Sequence, residues 1–192
     1  ARGKNHGDPI PMCGVPYHSA QGYINRLTQL GHKVAICEQV EDPALAKGIV
    51  KREIIKLITP GTNLEDDAQP VLDNQYIAAH YSDKNGIGIA YLDLMTGDYF
   101  IYETGSEQAA MSQLALIQPK ELIATAAALS AGALKTFTDK YPNVRTTTYE
   151  NWVFDLSHAK ELLTNTFALF SLEGLGLAHY ITGVQAAGAL IY

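Results

Sequence analysis

The chain is 192 residues long, 47% hydrophobic and 18% charged, with a net charge of −6. Those figures are ordinary for a soluble globular protein and allow one large domain or two small ones. No run approaches the roughly 20 apolar residues of a membrane span, and Ala1-Arg2-Gly3-Lys4 does not open a signal peptide, so neither a membrane protein nor a secreted precursor is expected.

The opening ARGKNHGDPIPMCG is polar, punctuated by Gly and Pro, and without period. It reads as a loop whose hydrophobic partners are expected partly upstream, so the chain is expected to begin inside a domain. Ser19 caps a predicted helix to about Leu30, with Tyr23, Ile24, Leu27 and Leu30 on one face and Gly31 at its end. Two short β-branched runs follow, Val34–Cys37 and Ile54–Ile58, and both read as strands. Between them lies a polar, basic segment holding Asp42-Pro43, Lys47-Gly48 and Lys51-Arg52. Pro60-Gly61 stops the second strand, and the acidic, Pro-containing stretch Asn63–Asn74 reads as a linker.

Beyond it, Tyr76–His80, Ile87–Leu94 and Tyr99–Tyr102 are predicted strands. The turn compositions Asp83–Gly86 and Met95–Asp98 join them into an antiparallel meander. Ser106 caps a predicted helix to Ile117, with Ala110, Leu114 and Ile117 on one face and Pro119 closing it. Glu121–Ala124 is a strand, Ala126–Lys140 is helical in part, and Thr146–Tyr149 is a further strand by its Thr and Tyr content. Asp155 or Ser157 caps a helix whose apolar face is Ala159, Leu162, Leu163, Thr166, Phe167 and Phe170. Leu177–Tyr192 reads as a last helix with no stop signal, so a cut within a longer chain is expected there too. The expected fold class is α/β, as two small α/β domains: 1–62, a linker at 63–75, and 76–192.

Charge divides the same way. Residues 1–60 carry eight Lys/Arg against five acids, a balance of +3, and residues 61–192 carry six against fifteen, a balance of −9. A polyanion is attracted to the first module and repelled by the second, so the two are expected to meet different partners.

Four words in order, PIPMCGVPYHS, KVAICEQVEDP, AKGIVKRE and ITPGT, carry a resemblance to the bacterial MutS family of DNA mismatch-recognition proteins. The resemblance covers essentially the whole chain. It implies that residues 1–62 are most of the mismatch-binding domain and that 76–192 are the connector domain, whose order of three strands, helix, strand, helix, strand, helix resembles the ribonuclease H-like topology. It implies recognition of mispaired or unpaired bases in duplex DNA, relay to a MutL-type protein through the connector, and a homodimer in the full-length family. ATP and Mg²⁺ belong to a distant part of that family's chain, and no cofactor is expected in this one. A cytoplasmic, nucleoid-associated bacterial location with no membrane partner is implied as well. The family's Phe-x-Glu motif, whose ring stacks on the mispaired base, does not occur here; the first Phe is Phe100.

The basic residues of the first module are the main functional signal, because Lys and Arg bind phosphates whatever the sequence. Arg2 and Lys4, on a Gly-rich loop, are the leading DNA-contact candidates. Met12, on a Pro-stiffened loop, either packs under it or lies against the minor groove. Lys47, Lys51 and Arg52 either contact DNA or form a solvated face paired with Glu41, Asp42 and Glu53. Catalysis is not expected. No Gly-x-x-x-x-Gly-Lys-Ser/Thr loop is present. A two-metal nuclease would need Asp93 with Asp98, Glu121 or Glu150, but the first strand supplies no acid, and Asp93 is expected either to finish its strand or to bond to the Met95–Gly97 turn. The six His are scattered without ligand spacing, Cys13 with His18 lacks an orienting acid, and Cys13 and Cys37 are expected to be reduced or buried thiols. The alternative reading is a connector-centred protein–protein interaction module with little DNA affinity of its own.

Overall fold

The computed structural model describes residues 14–42, 48–63 and 75–192, together with the backbone of Lys4–Asn5 and Asp8–Pro9. Arg2, Met12, Cys13, Lys47 and the linker residues 64–74 lie outside the described residues, and so does the side chain of Lys4. The chain divides into two compact units, Ala1–Thr59 and Pro60–Tyr192.

In the first unit β1 (Lys4–Asn5) pairs antiparallel with β2 (Asp8–Pro9), so the opening is not wholly loop as its composition suggests. Helix α1 (Ala20–Gln29) follows a short 3-10 turn. Ser19 occupies its N-cap position, but its side chain makes no capping hydrogen bond. The helix ends in a Schellman arrangement: Gly31 N–H donates to Thr28 O (2.8 Å) and His32 N–H to Leu27 O (2.9 Å), with Gly31 at φ 87°. The predicted apolar face is not closed by the described residues, since Tyr23, Leu27 and Leu30 are exposed. The residue α1 buries is Thr28, whose hydroxyl donates back to Ile24 O and Asn25 O, both at 3.0 Å. Strands β3 (Val34–Gln39) and β4 (Arg52–Ile58) form an antiparallel ribbon with a bulge between Ile36 and Cys37.

The second unit is a five-stranded sheet in the order β7-β6-β5-β8-β9. Its strands are β5 (Tyr76–Asp83), β6 (Gly86–Asp93), β7 (Tyr99–Thr104), β8 (Glu121–Thr125) and β9 (Arg145–Tyr149). The first three form the meander, and β8 and β9 then run parallel to β5. This is the ribonuclease H-like strand order.

Alternation along β5 divides two cores. Ala78 faces Leu114, Ile117, Leu134 and Phe137 from α2 (Glu107–Ile117) and α4 (Gly132–Lys140). Ile77 and Ala79 face Val184, Ala186 and Ala187 of α6 (Thr182–Ile191) and Ala159 and Leu163 of α5 (Leu156–Thr166). The segment read as partly helical is two helices, α3 (Ala126–Ser130) and α4, broken at Ala131.

Caps fix the helix starts. Ser106 Oγ accepts Ala109 N–H (3.2 Å), and Asp155 Oδ1 accepts Ser157 N–H (2.9 Å) and His158 N–H (3.0 Å). Helix α5 stops at Thr166, and Ala168 turns the chain with φ 50°, so Phe167 and Phe170 are exposed instead of extending the helical core face. Helix α6 begins only at Thr182, and every residue from Thr182 to Ala189 is buried. It sits so close to β6 that a Cβ at Gly88 would fall on the Thr182 carbonyl, and so close to α5 that one at Gly188 would fall on Ala159.

Candidate nucleic-acid interface

Of the candidate DNA-contact residues, Lys51 and Arg52 are described with their side chains, and they lie on the β3–β4 ribbon and the chain leading into it. Val40 N–H donates to Lys51 O (3.1 Å), and Lys51 N–H donates to Glu41 Oε1 (2.5 Å), which closes the open end of the ribbon. In the register Glu38 lies opposite Glu53 and Gln39 opposite Arg52. Like charges opposite each other are unfavourable, and the Lys51 ammonium lies 2.6 Å from Glu53 Oε1, where it offsets that repulsion. Both partners are largely exposed, so the pair is a weak one that a phosphate can compete with. Arg52 is exposed; its guanidinium donates to Val50 O (3.3 Å) and has no carboxylate partner among the described residues.

The structure thus brings Lys51 and Arg52 together at one end of the ribbon. Lys4 lies on the separate β1–β2 pair. Ile54, Ile55 and Leu57 of β4 are also exposed, so the ribbon offers apolar as well as cationic surface.

The carboxylates weighed for a nuclease do not converge. Asp93 pairs with Tyr76 across β6–β5, whereas Glu121 pairs with Ile77 across β8–β5. Successive residues of a strand point to opposite faces, so Asp93 and Glu121 lie on opposite sides of the sheet. Asp93 Oδ1 accepts Met95 N–H (2.9 Å) and holds the turn, and Asp98 Oδ2 accepts the Thr96 hydroxyl (2.7 Å). Glu121, buried at 4% exposure, accepts Gly61 N–H (3.2 Å) and the Thr147 hydroxyl. Among the described residues no three His, Cys, Asp or Glu side chains are grouped to hold a metal ion. No helix of the described residues is long and apolar enough to cross a membrane.

Sequence reasoning did not find the roles of three polar side chains of the second unit, the half-buried Glu103 and the buried Glu121 and His80. Glu103 Oε2 on β7 accepts Ile181 N–H (2.8 Å) and Gly183 N–H (2.7 Å), and so caps α6 from across the fold. Glu121 reaches Gly61, sixty residues away. His80, on β5, is 3% exposed with no partner for Nδ1, and burial pushes its imidazole down to about 4. An acid or histidine in an apolar strand is the only local sign of each, and their partners are distant in sequence.

The fold defines a two-unit α/β protein, with an antiparallel ribbon carrying Lys51 and Arg52 at one end in the first unit and a ribonuclease H-like sheet in the second. The family MutS domain I matches residues 1–67, and MutS domain II matches residues 75–192. The chain belongs to the MutS family. It is 40% identical to the DNA mismatch repair protein MutS of Lachnoclostridium phytofermentans over 98% of this chain and 20% of that protein. With the MutS of Desulfatibacillum aliphaticivorans it shares 37% identity over 100% of this chain and 22% of the relative, and with that of Alkaliphilus oremlandii 39% over 95% and 21%. The chain thus spans about a fifth of the length of the curated relatives it matches.

Proposed function

We propose that this chain is the part of a mismatch-repair protein that engages mispaired or unpaired bases in duplex DNA and couples that event to a repair partner. The observation that carries the reading is the succession of MutS domain I and MutS domain II along almost the whole chain. In this reading residues 1–62 belong to the mismatch-binding domain, 63–75 are the linker and 76–192 are the connector. Arg2, Lys4, Lys51 and Arg52 contact phosphates, and Met12 approaches the minor groove. The connector meets a MutL-type protein; its balance of −9 opposes contact with phosphates. The chain works by binding rather than catalysis. ATP with Mg²⁺, homodimer formation and a place in the bacterial cytoplasm on the nucleoid belong to the whole protein.

The test is a titration with matched and mismatched duplexes at several salt concentrations. Each phosphate contact contributes close to one unit to the slope of log K against log salt, so Arg52→Ala should lower that slope by about 1. Matched and mismatched DNA should lose affinity alike, because stacking of an aromatic side chain on a base is worth roughly 1–3 kcal/mol and these 192 residues contain no Phe-x-Glu to supply it. An unchanged slope removes Arg52 from the interface. No DNA binding at low salt favours the second reading, a protein-interaction module, which the pairing of Lys51 with Glu53 supports.

A further inference from the structure

A cleft of about 450 Å³ opens where β5 and β8 end, between the Asp83–Gly86 hairpin and the starts of α2 and α4. In sheets with parallel strands this is where ligand crevices form, outside the carboxyl ends of the strands and against helix N-termini. Three features of this one point to what it takes. His80 lines it with a buried imidazole whose Nδ1 has no hydrogen-bond partner, and buried polar atoms are rarely left so. Helix α4 starts at the cleft without a side-chain cap: Ala131 holds the N-cap position in extended conformation (φ −152°, ψ 168°) and has no acceptor to offer, and no acid stands in the first turn. Lys84 brings a cation to the hairpin side.

The two acids of the cleft have other attachments. Asp83 Oδ1 accepts Asn85 N–H (2.7 Å), and its Oδ2 accepts the Asn85 side-chain amide (3.0 Å). Glu107 stands in the first turn of α2, where the helix dipole offsets its charge. The remaining electrostatic demand is for negative charge at α4. Ile87, Met111 and Leu134 supply an apolar wall beside it.

We propose that this cleft binds the oxyanion group, phosphate or carboxylate, of a small molecule. The oxygens sit on the first-turn N–H groups of α4 and near Lys84, and the neutral His80 donates its Nδ1 proton to the same ligand. The site lies wholly in the second unit and is independent of the reading of the ribbon.

The full 192-residue chain, labelled for NMR, is titrated with inorganic phosphate and separately with acetate at constant ionic strength. Saturable shifts are expected at the amides of Ala133 and Leu134 and at Lys84 below roughly 20 mM. The anion that saturates at the lower concentration identifies the headgroup. Ala131→Asp places a carboxylate in the N-cap position, so the variant should keep or raise the thermal stability while weakening binding about tenfold or more. Lys84→Ala should weaken it about threefold with the melting temperature unchanged. The proposal is overturned if neither anion gives saturable shifts, or if Ala131→Asp binds as the parent does.

Discussion

Mild acid should destabilise the second unit through His80. The imidazole is held at about 4 by burial, against 6.5 for an ordinary histidine. Above pH 6.5 neither the folded nor the unfolded side chain is charged, and His80 adds no pH dependence. Below 6.5 the unfolded chain takes up a proton that the folded one refuses, until the pH falls to about 4. Stability therefore falls with falling pH across that window. At 1.36 kcal/mol per pH unit, the loss should be about 2 kcal/mol near pH 5 and about 3 kcal/mol by the lower end.

A variant that changes His80 alone leaves every other ionisable group in place, so the difference between it and the parent isolates the imidazole. The comparison is urea unfolding of the parent and of His80→Leu near pH 7.5 and near pH 5, followed by the fluorescence of Trp152, the single tryptophan, which lies in the second unit. The parent should lose about 2 kcal/mol more than the variant on acidification. Equal losses would mean that His80 is not desolvated as described, and the reasoning would fail.

Two further substitutions probe the seat of α6. Gly88→Ala should abolish cooperative unfolding of the second unit or cost more than about 3 kcal/mol, because the added Cβ meets the Thr182 backbone; Gly97→Ala, at φ 81° with open space around it, should cost only the roughly 1–2 kcal/mol of left-handed strain. Chemical denaturation of both variants checks the contrast. Glu103→Ala leaves the Ile181 and Gly183 N–H groups without their shared carboxylate and should cost about 1–3 kcal/mol, read as faster hydrogen exchange at the start of α6 than in β5.

Much of the second unit was legible because its signals are local. The hairpin at Asp83–Gly86 follows from its turn residues, and the caps Ser106 and Asp155 sit one residue ahead of α2 and α5. What could not be read depended on distance. The start of α6 is set by Glu103, nearly eighty residues upstream, so the apolar run from Leu177 looked like one helix although only Thr182–Ile191 is helical. Phe167 and Phe170 fitted the helical period, but Ala168 takes a left-handed conformation that period cannot announce. In the ribbon, sequence placed Lys51, Arg52 and Glu53 side by side yet could not say which cation takes the acid. The register decides it, because Glu38 faces Glu53 and draws Lys51 toward that pair.

The word ITPGT also changes meaning with the structure. Pro60 and Gly61 group with the second unit, and Gly61 N–H donates to the buried Glu121 carboxylate, whose other oxygen accepts the Thr147 hydroxyl. Glycine is needed at 61 because a Cβ there would lie 2.8 Å from Glu121 Cβ and 3.0 Å from Ile77 Cγ1. Glu121 thus ties the segment that enters the second unit to the starts of β5, β8 and β9. Glu121 and Asp93 lie on opposite faces of the sheet, so these two carboxylates cannot share a metal ion. Glu121→Ala would leave the Gly61 N–H and Thr147 hydroxyl without it, a cost of roughly 1–3 kcal/mol concentrated at the joint. Hydrogen exchange at Gly61 should then accelerate by one to two orders of magnitude, while the β5–β6 ladder, which does not touch Glu121 through hydrogen bonds, stays protected. Gly61→Ala should give the same pattern from the other side of the contact. If Gly61 exchanges no faster in Glu121→Ala, the carboxylate does not hold the joint, and ITPGT owes its Gly to the chain turn alone.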